Sequence, residues 1–124
     1  MPQRVYICKA TGANDLKTII EYDPYLDKSL TEEQIKKLNE TKNENVIFAR
    51  QDCMIKDGIS LGMDRESCYL YINATEDFLD RAEKVLKEKL PEIVRAPQET
   101  EQQIIKRIED ERKESEQGLG LIFG

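Results

Sequence analysis

The segment from Cys68 to Pro91 constrains the fold more than any other part of the chain. Cys68-Tyr69-Leu70-Tyr71-Ile72 is a run of aromatic, aliphatic and β-branched residues that reads as a strand. It passes almost at once into Thr75, an N-cap residue, with Glu76 and Asp77 placed to favour the positive end of a helix dipole. Phe78, Leu79, Ala82, Val85, Leu86 and Leu90 then recur on one helical face, Lys87 and Lys89 complement the last turn, and Pro91 ends it. A strand feeding an amphipathic helix needs a sheet on which to lay that helix, so the chain belongs to a mixed class.

The amino-terminal part repeats the theme. Arg4 to Ala10 reads as a strand, Thr11-Gly12 punctuates it, and Leu16, Ile19 and Ile20 follow at helical spacing after a candidate N-cap at Asn14. Asp23-Pro24 stops that helix. Thr31-Glu32-Glu33-Gln34 is a capping box, so a second helix starts at Thr31; with only Ile35 and Leu38 on its apolar face it belongs on the surface. Val46 to Arg50 is expected as a strand. Met54-Ile55-Lys56 and Ile59-Ser60-Leu61 are expected as a hairpin joined at Asp57-Gly58, and Glu92 to Arg95 as a short edge strand.

The order is βαββαβ with an inserted helix and hairpin, which points to an α+β fold, a ferredoxin-like α/β plait over residues 1–96. Strand alternation then predicts that Val5 and Ile7, with Leu70 and Ile72, face the helices. Tyr6, Cys8, Tyr69 and Tyr71 are expected on the other face, which separates Cys8 from Cys68.

Composition removes several function classes. Among 124 residues, 19 Lys and Arg stand against 25 Asp and Glu, a net charge of −6 that opposes nucleic acid and anionic membranes. There is no apolar run near the roughly 20 residues that span a bilayer and no signal-peptide pattern, so the expectation is a cytoplasmic protein with no membrane partner. The chain has no histidine, which rules out Ser-His-Asp and Cys-His catalysis and mixed Cys/His zinc sites within one chain. Cys8, Cys53 and Cys68 show no Cys-x-x-Cys spacing, and Cys68 reads as a small buried hydrophobe. Asp52-Cys53 and Asp64-Arg65-Glu66 lack the spacing of a calcium loop, and Gly58 and Gly62 lack that of a phosphate loop. No cofactor or metal is expected, and no acidic pair is forced together, so the reading leans away from an enzyme. A charged fraction of 35% resembles that of thermophile proteins.

Two strands carry a resemblance. Arg4-Val5-Tyr6-Ile7 before a helix, and Tyr69-Leu70-Tyr71-Ile72 before the Thr75 helix, resemble the two aromatic strand motifs of the RNA recognition motif. The resemblance implies that Tyr6, Tyr69 and Tyr71 would stack the bases of single-stranded RNA on an open sheet face. The basic residue and glycine that the motif places before Tyr69 are here Ser67 and Cys68, and its closing aromatic is Ala74.

From Pro97 the character changes. Pro97 at a first helical position and the i,i+4 pairs Lys106/Asp110, Arg107/Glu111 and Arg112/Glu116 predict a polar helix over 97–117, about 30 Å long. Its apolar content is nearly confined to Ile104, Ile105 and Ile108, too little, on this reading, to hold it to a core. The tail over 118–124 carries Leu119, Leu121, Ile122 and Phe123 on a glycine-broken segment. Burying each such side chain is worth about 1.5–3 kcal/mol. The leading expectation is a protein-association module that docks on a protein, a second copy or another subunit, through Ile104, Ile105, Ile108 and the tail. The competing expectation is that the tail folds back over the tyrosines of its own sheet.

Overall fold

A computed structural model describes the backbone of residues 2–123 and the side chains through Ser115. The architecture is mixed α+β: one open sheet of four antiparallel strands with four helices among the described residues. The strands are β1 (Gln3–Lys9), β2 (Asp52–Asp57), β3 (Ser67–Asn73) and β4 (Val94–Arg95). The helices are α1 (Ala13–Glu21), α2 (Glu32–Glu40), α3 (Glu76–Lys89) and α4 (Gln98–Phe123). The sheet order is β2-β3-β1-β4, with β1 paired to β3 in the register Val5↔Tyr71, Tyr6↔Leu70, Ile7↔Tyr69 and Cys8↔Cys68.

Local chemistry explains the starts of α2 and α3. Thr75 accepts from the Phe78 N–H at the start of α3, and Thr31 and Gln34 complete a reciprocal capping box at α2. Helix α2 buries none of its side chains, as its sparse apolar face predicts. Helix α1 starts one residue before Asn14, with Gly12 as its N-cap and no capping side chain.

Both sheet faces are covered. Tyr6, Cys8, Leu70 and Ile72 meet α1 through Leu16 and Ile20, and α3 through Phe78, Leu79, Ala82 and Leu86. On the reverse, Val5, Tyr69 and Tyr71 meet α4 through Ile104 and Ile108, with Ile7, Met54 and Ile105 packed alongside. The alternation expected for β3 holds, whereas that for β1 is reversed: Tyr6 and Cys8 face α1 and α3. The reason is visible in the residues. Val5-Tyr6-Ile7-Cys8 is apolar on both faces, as a strand covered on both sides must be, so alternation alone had no polar partner set by which to orient it. Cys8 and Cys68 therefore share a face and pair directly, contrary to their expected separation.

Two further expectations are corrected between α2 and β3. Val46 to Arg50 is not a strand: Phe48–Arg50 is a single 3-10 turn that places Phe48 edge-on to Phe78, ring centres 5.9 Å apart. Phe48 is 3% exposed there, in the core cluster that includes Phe78. The partner of Met54-Ile55-Lys56 is β3 rather than Ile59-Ser60-Leu61. Gly58 does not adopt a positive φ; its N–H donates to the Ser67 carbonyl at 3.0 Å, and a Cβ there would overlap the Asp64 carbonyl. The connection from β2 to β3 is thus a loop whose single left-handed residue is Gly62, φ +67°. The expected edge strand is realised as β4, which pairs Arg95 with Tyr6 and Val94 with Ile7.

Candidate functional site

The face of the sheet under α4 gathers Tyr69, Tyr71, Ile104, Ile105 and Ile108 of the residues singled out in the sequence. Glu101, Ile104, Ile108 and Arg112 recur every three or four residues and form one stripe of α4, the stripe that touches the sheet. Ile104 and Ile108 are fully buried, each contributing about 1.5–3 kcal/mol. These isoleucines are thus engaged by their own sheet, and Ile105 is packed against the same cluster. The expectation that so few apolar residues cannot hold the helix is overturned, because polar contacts flank them at each end.

At the amino-terminal end the anchor is Glu101, 8% exposed. Its Oε2 accepts from the Val5 N–H at 3.0 Å, and its two oxygens accept from Arg95 Nε at 3.0 Å and Nη2 at 2.9 Å. The Val5 N–H points away from β3, on the side where β4 has already ended; the Ala96 N–H donates to the Val5 carbonyl at 2.9 Å, after which Pro97 turns the chain into α4. A carboxylate from α4 therefore supplies the acceptor that a longer edge strand would have supplied.

Further along, Arg107 donates to the carbonyls of Leu61 at 2.9 Å and Ser60 at 3.0 Å, tying the β2–β3 loop to the helix. Arg112 makes a two-pronged pair with Asp52, at 2.8 and 3.0 Å, and its guanidinium lies 5.5 Å from the centre of the Tyr71 ring. Its hydrogen bonds hold the Asp52 carboxyl below the usual carboxylate range. Lys56 reaches Glu111 at 2.9 Å, and Gln3 Nε2 donates both to the Tyr71 hydroxyl at 2.8 Å and to Glu109 at 3.2 Å. Of the expected i,i+4 pairs, Arg107 and Glu111 approach to 3.8 Å.

The three tyrosines do not form one platform. Tyr69 and Tyr71 lie under α4 at 5% and 1% exposure, while Tyr6 is on the opposite face at 0%, where burial pushes its hydroxyl pKa up. The base-stacking surface implied by the resemblance is therefore not assembled, because β1 presents Val5 and Ile7 where that surface required Tyr6. The side chains of the tail residues Leu119, Leu121, Ile122 and Phe123 lie outside those described, and so does the docking role expected of them; the backbone of α4 runs on to Phe123 with no break at the expected boundary of 118.

On the other face, Arg4 reaches the α3 carboxylates of Asp80 at 2.9 Å, Glu76 at 3.2 Å and Glu83 at 3.9 Å. These acidic groups neutralise one buried guanidinium rather than face each other across a cleft. Among the described residues, no group of three or more Cys, Asp or Glu is placed to hold a metal ion, and no helix is long and apolar enough to cross a membrane. At the end of the sheet, Cys8 borders a cleft of about 500 Å³ whose wall includes Thr11, Gly12, Pro91 and Glu92. Lys9 spans its rim to Glu92 at 3.2 Å. Sequence reasoning missed Glu101, Arg107 and Arg112 as anchors; their spacing from Ile104 and Ile108 was the available signal.

Compared with family models, curated proteins and solved structures, the chain finds no match.

Proposed function

We propose that the chain is a small cytoplasmic protein-association module on a ferredoxin-like plait. The strand order β2-β3-β1-β4, with α1 and α3 against the same face, supports the plait reading, in which α2 is an insertion and α4 an addition over the second face. One observation carries the functional reading: α4 is pinned to its own sheet between Glu101 and Arg112, which turns it into a fixed strut. The strut leaves the apolar residues of the terminal sequence, Leu119, Leu121, Ile122 and Phe123, as the docking element, and the occupant we favour is a second copy of this chain. Ile104 and Ile108 anchor the strut and take no part in docking.

An enzyme gains no support from Asp52, Glu76, Asp80 and Glu101, which pair with Arg112, Arg4 and Arg95. Single-stranded RNA binding would require α4 to leave Tyr69 and Tyr71. Removal of residues 118–124, with mass followed by light scattering across a concentration series, tests the proposal. The expected result is a full-length chain that self-associates and a truncated chain that stays monomeric with the same unfolding midpoint. A full-length chain that is monomeric at every concentration overturns it.

A further inference from the structure

Cys8 and Cys68 are directly opposite each other in the β1–β3 ladder. Two backbone bonds fix their place in its alternation: the Ala10 N–H donates to the Glu66 carbonyl at 2.7 Å, and the Ala74 N–H to the Pro2 carbonyl at 3.1 Å. Both pairs lie in the same register as Cys8/Cys68 and an even number of residues from it. Narrow and wide pairs alternate along antiparallel strands, so Cys8/Cys68 is a hydrogen-bonded pair with Cα atoms about 5.5 Å apart. A disulfide accepts that separation.

The side chains lie on one face, in the cluster with Leu16 and Leu86. Burial, followed by the neighbouring Cys68 thiol, pushes the Cys8 thiol up to about 12. Cys68 Sγ also lies 3.7 Å from the Lys9 carbonyl oxygen, which it meets as a weak donor. Cys8, 8% exposed, is the member that lines the cleft shared with Lys9 and Glu92. The third thiol is set apart: Cys53, on β2, pairs with Ile72 of β3 and donates to the Phe48 carbonyl at 3.5 Å.

We propose that Cys8 and Cys68 form a reversible oxidation site whose oxidant is a low-molecular-weight disulfide admitted by this cleft. In the small ionised fraction that its raised pKa leaves, which grows with pH, Cys8 has lost its proton to solvent, and its sulfur bonds to one sulfur of the small disulfide while the other departs and is protonated. Cys68, deprotonated in turn, attacks Cys8 Sγ and expels the second small thiol. Two protein thiols are oxidised, one small disulfide is reduced to two thiols, and two electrons pass between them.

The ladder explains why the bond would be readily undone. Side chains of a hydrogen-bonded pair start with Cβ atoms near the upper end of about 4.5–5.5 Å, and a relaxed disulfide needs about 3.8 Å. Closing it therefore tilts the two Cα–Cβ bonds towards each other and twists the strands locally at an unchanged backbone spacing. A bond formed under that strain is more easily reduced than an ordinary structural disulfide.

The test uses the full-length chain with oxidised glutathione, followed by thiol counting, intact mass and peptide mapping. The expected result is a fall from three free thiols to one, a loss of two hydrogens with no glutathione retained, and a bond mapped between Cys8 and Cys68 that dithiothreitol reverses. Cys53→Ser should leave this bond unchanged, and Cys68→Ser should trap glutathione on Cys8. Three surviving thiols in the folded wild type, a bond to Cys53, or glutathione retained on the wild type would overturn the proposal. The wild-type map decides the matter even where a variant fails to fold.

Discussion

Replacing Glu101 separates the backbone role of its carboxylate from its ion pair. In Glu101→Ala the Val5 N–H, buried beneath α4, loses its only acceptor among the described residues, at a cost of about 1–3 kcal/mol. The pair with Arg95 adds little, about 0–1 kcal/mol, because the Arg95 side chain is 46% exposed and water screens it. The sum is about 1–4 kcal/mol for Glu101→Ala. Glu101→Gln keeps an acceptor for Val5 and loses only the charge, and Arg95→Ala removes only the exposed partner, so each should cost about 1 kcal/mol or less. Equilibrium urea unfolding of the four proteins measures these differences, and amide exchange at Val5 reports the bond itself. If Glu101→Ala stayed within about 0.5 kcal/mol of wild type, or Arg95→Ala cost as much as Glu101→Ala, the backbone-acceptor argument would fail.

Ile104→Ala and Ile108→Ala should each lower stability by about 2–5 kcal/mol in the same assay, since both side chains are fully enclosed between α4 and the sheet; a loss under about 1 kcal/mol for both would mean that α4 is not packed as described. Gly58→Ala should destabilise more than Gly62→Ala, whose left-handed backbone costs about 1–2 kcal/mol, because the Gly58 Cβ meets the Asp64 backbone itself; thermal unfolding giving the reverse order refutes this. Alkali should weaken the fold, for burial raises Cys8 and Cys53 to about 12 and also raises Tyr6. The unfolded chain releases the thiol protons near pH 8.5 while the folded chain keeps them, so this stability is whole below about pH 8.5 and declines as pH rises towards 12, by up to about 1.4 kcal/mol per unit for each thiol. Urea unfolding at pH 8, 9 and 10 checks it, and a flat profile would contradict it.

How much of this could be read in advance depended on how local the cause was. The Thr31 capping box and the Thr75 cap with its stripe are settled within a few residues, and each stands where its motif placed it, while Pro97 stands one residue before the helix it was expected to begin. The path of residues 46–66 was misread because its decisive partners, Phe78 for Phe48 and β3 for Met54 to Lys56, are distant in sequence. The facing of β1 was misread for a different reason. Its unbroken apolar run, like that of β3, signalled two covered faces, and no residue on either strand said which face belonged to which helices.

The sequence by itself determined the two strand-to-helix units β1-α1 and β3-α3 with α2 between them, the absence of histidine chemistry and the spacing of Glu101, Ile104, Ile108 and Arg112 on one side of α4. Only the tertiary structure decided that this side meets the chain's own sheet, that Tyr6 and Tyr69 part company, and that Cys8 meets Cys68. Helical and strand periodicities are written in neighbouring residues, whereas register and coverage arise from partners dozens of residues away. There a shift of one residue exchanges the two faces of a strand.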